Sequence, residues 1–142
     1  MKKLVIAALT AISLAACGPK DGEYTFHLLT TNDIHGTYFD STYINSDPRN
    51  SLIAVKAKID EFRGQYGKDN VILIDDGDFL QGDNAAYYFN YVDTTSKHIF
   101  SRMAEYMEYD AVVAGNHDIE TGHDVYDGIA ADLAKRGIPF LA

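Results

Sequence analysis

The sequence predicts an α/β fold: a parallel-type sheet with flanking helices. Three observations predict it. Apolar, β-favouring runs alternate with stretches whose apolar residues recur at helical spacing. Each run ends in a polar, glycine-containing cluster, as strands do where they leave a sheet. The chain has 142 residues, 46% hydrophobic and 23% charged, an ordinary globular balance with room for one modest domain and not two.

Taken in order, Met1-Lys2-Lys3 is a short positive segment and Leu4–Ala16 is apolar apart from Thr10 and Ser13. As a helix, that run would rise about 20 Å, short of the roughly 30 Å hydrocarbon core. Residues 1–16 are therefore expected to be a signal peptide rather than a permanent transmembrane helix. Leu14-Ala15-Ala16-Cys17 resembles the bacterial lipoprotein lipobox, which implies cleavage before Cys17 and lipid attachment to its sulfur. The expected location is thus the cell envelope, lipid-anchored, at the outer membrane or facing the periplasm. Residues 17–23 then form the lipidated cysteine and a polar tether, and residues 24–142 form the domain.

Tyr24–Thr31 reads as the first strand and runs into Asn32-Asp33-Ile34-His35-Gly36. A long connection holding Pro48 follows. From Ser51, a suitable N-cap, Leu52, Val55, Ile59, Phe62 and Tyr66 recur at helical spacing, and Gly64 and Gly67 close that helix. Val71–Ile74 reads as a strand buried on both faces and ends in Asp75-Asp76-Gly77-Asp78. Tyr87, Tyr88, Phe89 and Tyr91 read as core or helix–helix contacts, and His98 as a solvated helix residue. Ile99, Phe100, Met103, Tyr106 and Met107 mark a further helix. Ala111–Ala114 is a third buried strand, ending in Gly115-Asn116-His117-Asp118. Val125, Ile129, Ala130 and Leu133 mark the last helix, and residues 138–142 open a fourth strand. A chain ending on an incipient strand is expected to be a truncated piece of a larger parent. Helices on two faces of four strands would enclose only a marginal core.

Composition excludes several functions. A formal net charge of −9 argues against a nucleic-acid polymer as partner, since a backbone binder needs a basic face. One cysteine excludes a disulfide scaffold and a zinc ribbon. The chemistry collects instead at three strand ends, which a parallel sheet brings to one edge. Asp33 and His35, Asp78 after Gly77, and Asn116 supply the oxygen and nitrogen donors that a borderline divalent ion takes. An Asp following a glycine can approach closely enough to bridge two ions about 3.5–4 Å apart, the arrangement used for in-line phosphoryl displacement.

Asp33-Ile34-His35, Gly77-Asp78 and Gly115-Asn116-His117-Asp118 resemble the first three signatures of the calcineurin-like metallophosphoesterases. The longer strings Thr31–Gly36, Asp75–Gly82 and Ala114–Asp118 resemble the bacterial 5′-nucleotidase / 2′,3′-cyclic-nucleotide 2′-phosphodiesterase family, over about Tyr24–Ala142. The resemblance implies the N-terminal portion of a four-layer α/β/β/α domain and hydrolysis of a nucleotide or other phosphoester by attack of a metal-activated water. It implies two divalent ions of the Mn, Zn, Co or Fe type. Asp33 and His35 would ligate the first, Asp78 would bridge, and Asn116 would ligate the second. His117 would be catalytic, stabilising the transition state and protonating the leaving oxygen. Its orienting carboxylate would be Glu120, where the family carries Asp, or else the adjacent Asp118. The family completes its site with further histidines downstream, so this chain alone is expected to bind metal weakly and to have little or no activity.

Two rivals stand beside this reading. A haloacid-dehalogenase-like phosphatase would use Asp76-Gly77-Asp78 as a strand-end nucleophile motif, but gives Asp33, His35 and Asn116-His117 no role. A lipoprotein retaining part of the fold, for binding or without function, is the non-enzymatic alternative.

Overall fold

Four short parallel strands pair side by side in chain order. In the computed structural model, which describes residues 22–41 and 49–142, these are β1 (His27–Thr31), β2 (Val71–Asp75), β3 (Ala111–Val113) and β4 (Phe140–Leu141). The expected signal peptide, Cys17 and Pro48 lie outside the described residues. Thr31 sits opposite Asp75, Asp75 opposite Val112, and Val113 opposite Leu141, so the carboxyl ends of the strands form one edge. Helix α1 (Leu52–Tyr66) joins β1 to β2, α2 (Asn84–Tyr91) and α3 (Ile99–Met107) join β2 to β3, and α4 (His123–Ala134) joins β3 to β4.

The order never reverses, and that decides where the helices go. Right-handed crossovers that always step the same way place every connection on the same face of the sheet. Accordingly all four helices share one hydrophobic cluster, in which Leu52 and Ile59 of α1, Ala86 of α2, Phe100, Met103 and Met107 of α3, and Ile129 and Leu133 of α4 pack with Leu73 and Val112. Phe79 stacks on Phe100 with ring centroids 3.6 Å apart and meets Phe140 edge-on. Helices on two faces were expected, and only one face is covered among the described residues. Val71–Ile74 is buried on alternate residues: Val71 and Leu73 face the core, Ile72 is 37% exposed, and Leu28 opposite it on β1 and Leu141 on β4 are exposed too. The four-layer domain is therefore represented by one sheet and one helical layer.

Local signals fix the helix ends. Ser51 caps α1, its Oγ accepting from the Ala54 amide at 3.2 Å. Gly67, with φ of 85°, ends it, whereas Gly64 lies inside the helix. Arg63, buried on α1, donates to the Met107 carbonyl (2.9 Å) and the Glu108 carbonyl (2.8 Å). It thereby satisfies the free carbonyls where α3 ends in the left-handed Glu108. His98 is the N-cap of α3 rather than a solvated residue. Its Nδ1 accepts from the Phe100 amide at 3.0 Å and its Nε2 lies 2.9 Å from Asn90 Oδ1. Burial pushes its pKa down to about 4, so it stays neutral with Nε2 donating. The α2 aromatics correct the expectation in the opposite direction. Tyr87, Tyr88 and Tyr91 are exposed, because α2 buries only Ala86 and Asn90.

Candidate metal centre

Three loops leave the carboxyl edge of β1, β2 and β3, and the first two are stitched together by their backbones. The Asp33 amide donates to the Gly77 carbonyl (3.1 Å), the His35 amide to the Asp78 carbonyl (2.9 Å), and the Asp76 amide to the Thr31 carbonyl (2.8 Å). The glycines make this approach possible. A Cβ on Gly77 would lie 2.5 Å from the Gly115 nitrogen, and one on Gly115 would fall inside the Asp78 carboxylate.

Asp33, His35 and Asp78 meet here, each offering one ligand atom within 4.8 Å of the others. His35 Nε2 lies 3.6 Å from Asp33 Oδ1. Asn32 Nδ2 holds the other Asp33 oxygen at 2.7 Å, and the His117 amide holds Asp78 Oδ1 at 2.9 Å. Asp33 and His35 face solvent, while Asp78 is only 9% exposed. Asp33, His35 and Asp78 also have positive φ (51°, 47° and 60°), and the only other non-glycine to do so among the described residues is Glu108. A left-handed backbone at three side chains that converge on one point is strain stored at a functional site. Two carboxylates and an imidazole in this geometry suit a divalent cation.

The loop after β3 supplies the remaining predicted residues. Asn116 is exposed on that loop and precedes His117, whose amide holds the Asp78 carboxylate. The His117 ring lies edge-on to His35 with centroids 5.7 Å apart, and its Nδ1 is 3.1 Å from Glu120 Oε1. Glu120 sits in the short 3₁₀ turn Ile119–Thr121 and is held in turn by Gln81, whose Nε2 donates to Oε2 at 2.8 Å.

Asp118, the alternative partner of His117, is committed elsewhere. Its Oδ2 accepts from the amides of Asp78 (2.9 Å) and Gly115 (2.8 Å), and its Oδ1 from those of Phe79 (2.9 Å) and Leu80 (2.8 Å). It is completely buried, and burial raises its pKa against the pull of those four bonds. A side chain that satisfies four amides of two loops is a clamp and has no oxygen left to steer an imidazole. Asp76, the nucleophile of the dehalogenase rival, is exposed and stands outside the Asp33–His35–Asp78 group.

A second buried carboxylate lies beneath the centre. Asp75 Oδ2 accepts from Thr31 Oγ1 at 2.5 Å and from the Tyr109 hydroxyl at 3.2 Å, and Oδ1 accepts from the Gly77 amide at 3.2 Å. Burial pushes its pKa up to about 6, the hydrogen bonds opposing only in part. Nothing local in the sequence gives Asp75 a role. Register carries the missing signal: in β2 it is Val71, Leu73 and Asp75 that share the buried face.

No protein-family model matches the chain. A curated relative, the trifunctional nucleotide phosphoesterase YfkN of Bacillus subtilis, is 30% identical over 110 residues, which cover 71% of this chain and 7% of that protein. The crystal structure of the calcineurin-like phosphoesterase YfkN from B. subtilis superposes with a TM-score of 0.65 at 28% identity, covering 74% of this chain and 33% of that one. A Staphylococcus aureus protein provisionally named a 5′-nucleotidase, solved with alpha-ketoglutarate, gives a TM-score of 0.62 at 26% identity, covering 81% and 22%. The chain thus spans a third or less of each of these three.

Proposed function

The chain is a partial member of the calcineurin-like phosphoesterases, of the 5′-nucleotidase type, and on that premise we propose that it carries the metal-binding loops of a nucleotide phosphoesterase. The observation that carries the proposal is the convergence of Asp33, His35 and Asp78 within 4.8 Å, on backbone held left-handed at all three.

Asp33 and His35 would hold one cation. Asp78, one oxygen of which accepts from the His117 amide, would be shared with a second, to which Asn116 would offer a neutral oxygen. Divalent ions bound there would polarise a phosphoryl oxygen and acidify a water near neutral pH. The protein's own part is orientation and proton transfer. Glu120 holds Nδ1 of His117 and fixes the ring, leaving Nε2 to hand a proton to the departing ester oxygen. Bound cations also reconcile an acidic chain with an anionic substrate, because the ion's charge dominates the local field. Anchoring to the cell envelope through a lipid on Cys17 belongs to the same reading and rests on the sequence around that residue.

Calorimetric titration with Zn²⁺ and Mn²⁺ tests the centre. The chain should bind both, and Asp78→Asn, which keeps the shape and removes the charge, should weaken binding at least tenfold. Equal affinity in the variant would end the proposal.

A further inference from the structure

Gln81 stands exposed on the loop after β2, shortly beyond Asp78. Its Nε2 donates to Glu120 Oε2 at 2.8 Å, and the other oxygen of that carboxylate, Oε1, lies 3.1 Å from Nδ1 of His117. The contacts run in series from the β2 loop to the loop after β3. A carboxylate can only accept, so the nitrogen facing it must carry a proton.

One hydrogen bond does not hold a glutamate of this kind in place. The Glu120 side chain is 53% exposed and its carboxylate is free to turn about several bonds, so its pairing with His117 alone would contribute little. A bond to the second oxygen fixes the plane of the carboxylate as well as its position. Gln81 offers that bond from a rigid base. The Leu80 amide donates to Asp118 Oδ1 (2.8 Å), and the Leu80 carbonyl accepts from Asn90 Nδ2 (2.6 Å). On the other side, a Cβ on Gly82 would lie 2.5 Å from the His35 carbonyl oxygen, so the loop is seated on its neighbour. Glu120 shares this support, because the Asp118 carbonyl accepts from the hydroxyl (2.7 Å) and the amide (3.3 Å) of Thr121, which ends its turn. Asp118 thus sets the distance between Gln81 and Glu120, its side chain holding one loop and its backbone the other. The donor is also a neutral amide, which leaves Glu120 its charge for the imidazole, where a lysine or arginine would pair it off.

We propose that Gln81 is a positioning residue for His117. By holding the second oxygen of Glu120 it selects the ring tautomer with the proton on Nδ1 and leaves Nε2 free to exchange a proton. The use of Nε2 in proton transfer rests on the phosphoesterase reading above; the orientation of the ring does not. Which nitrogen carries the proton follows from the bond that the other nitrogen makes, and a neutral imidazole without a partner at Nδ1 favours the proton on Nε2. The two states are therefore distinguishable.

Nitrogen-15 NMR of the His117 ring, in EDTA and at a pH that keeps imidazoles neutral, reads the tautomer. The unaltered chain should show a ring protonated at Nδ1, and a nuclear Overhauser contact should join the Gln81 side-chain amide protons to the Glu120 methylene protons. Glu120→Ala should move the ring signals to the opposite pattern. Gln81→Met keeps the length of an exposed side chain and removes its donor, and it should move those signals at least about half as far. The amide signals of Phe79 and Leu80, which report the Asp118 clamp, should stay in place in Gln81→Met. A ring that keeps its pattern in either variant, or an unaltered chain without the Overhauser contact, overturns the proposal. The Overhauser contact is read on the unaltered chain and does not depend on how a variant folds. None of these signals requires a cation, so calorimetry with Zn²⁺ separates the two readings. A chain that binds no ion but shows the Gln81-dependent tautomer keeps the positioning role and loses the phosphoesterase assignment.

Discussion

Asp75→Asn should make the protein more stable at neutral pH and leave it unimproved in acid. Asp75 is wholly buried, and its carboxyl is pushed from an ordinary 3.8 to about 6, with burial the largest cause. A raised carboxyl pKa means that the folded state holds the proton more tightly than the unfolded chain. Its favourable contribution is therefore fully present below the unfolded value near 4 and is lost as pH rises through about 6. Each pKa unit is about 1.4 kcal/mol, so ionisation in place costs roughly 3 kcal/mol above that window. No solvent discount applies to a group with no exposure. Asparagine can turn its oxygen to the Gly77 amide and donate from its nitrogen to Thr31 Oγ1 and the Tyr109 hydroxyl, both of which can accept, and it cannot ionise. Urea denaturation followed by circular dichroism, in EDTA and in steps from pH 4 to 8, reads the effect. Subtracting the two proteins cancels every other titrating group, and the difference should rise by about 3 kcal/mol in favour of the variant across pH 4 to 7. A difference that stays flat with pH would refute the reasoning.

Asp118→Ala strips the acceptor from four amides at once and should cost about 4 kcal/mol or more, measured by the same urea titration. Gly115→Ala puts a methyl group into the Asp78 carboxylate, so calorimetry should find cation binding lost while the far-ultraviolet spectrum is retained. Arg63→Ala leaves the carbonyls at the end of α3 without their donor and should lower stability by about 2–3 kcal/mol, read as a fall in the thermal midpoint.

Strand–helix alternation was legible because period-two and period-3.6 patterns are local, and the convergence of Asp33 and His35 with Asp78 was legible because parallel strands deliver their carboxyl ends to one edge. What stayed hidden depends on where each element lands. Val71-Ile72-Leu73-Ile74 reads as buried on both faces, yet strand order leaves Ile72 uncovered. Tyr87 and Tyr91 read as core because nothing local states that α2 lies at the rim of the helical layer. His98 and Asp118 are polar residues whose roles exist only across the fold. One cap joins α2 to α3 through Asn90, and one clamp joins the β2 and β3 loops. Adjacency in sequence made Asp118 a candidate partner for His117, but its four amide bonds decide otherwise.

The choice of ligand types answers two demands at once. Asp and His are metal ligands, and among non-glycine residues they are several-fold enriched at positive φ. On the proposed reading Asp33, His35 and Asp78 need both properties, and strain of about 1–3 kcal/mol at each must be offset elsewhere. The offset is on the backbone: the amides of Asp33 and His35 are bonded across to the β2 loop, and that of Asp78 to Asp118. Ligand geometry is thus set by hydrogen bonds that require no cation, and charge and shape become separable. Asp78→Asn keeps the loops and removes the charge, so it should lose the ion and keep its stability. Asp118→Ala keeps every ligand and releases the loops, so it should lose both. If the ion instead created the geometry, saturating Zn²⁺ would restore Asp118→Ala to the affinity of the unaltered chain.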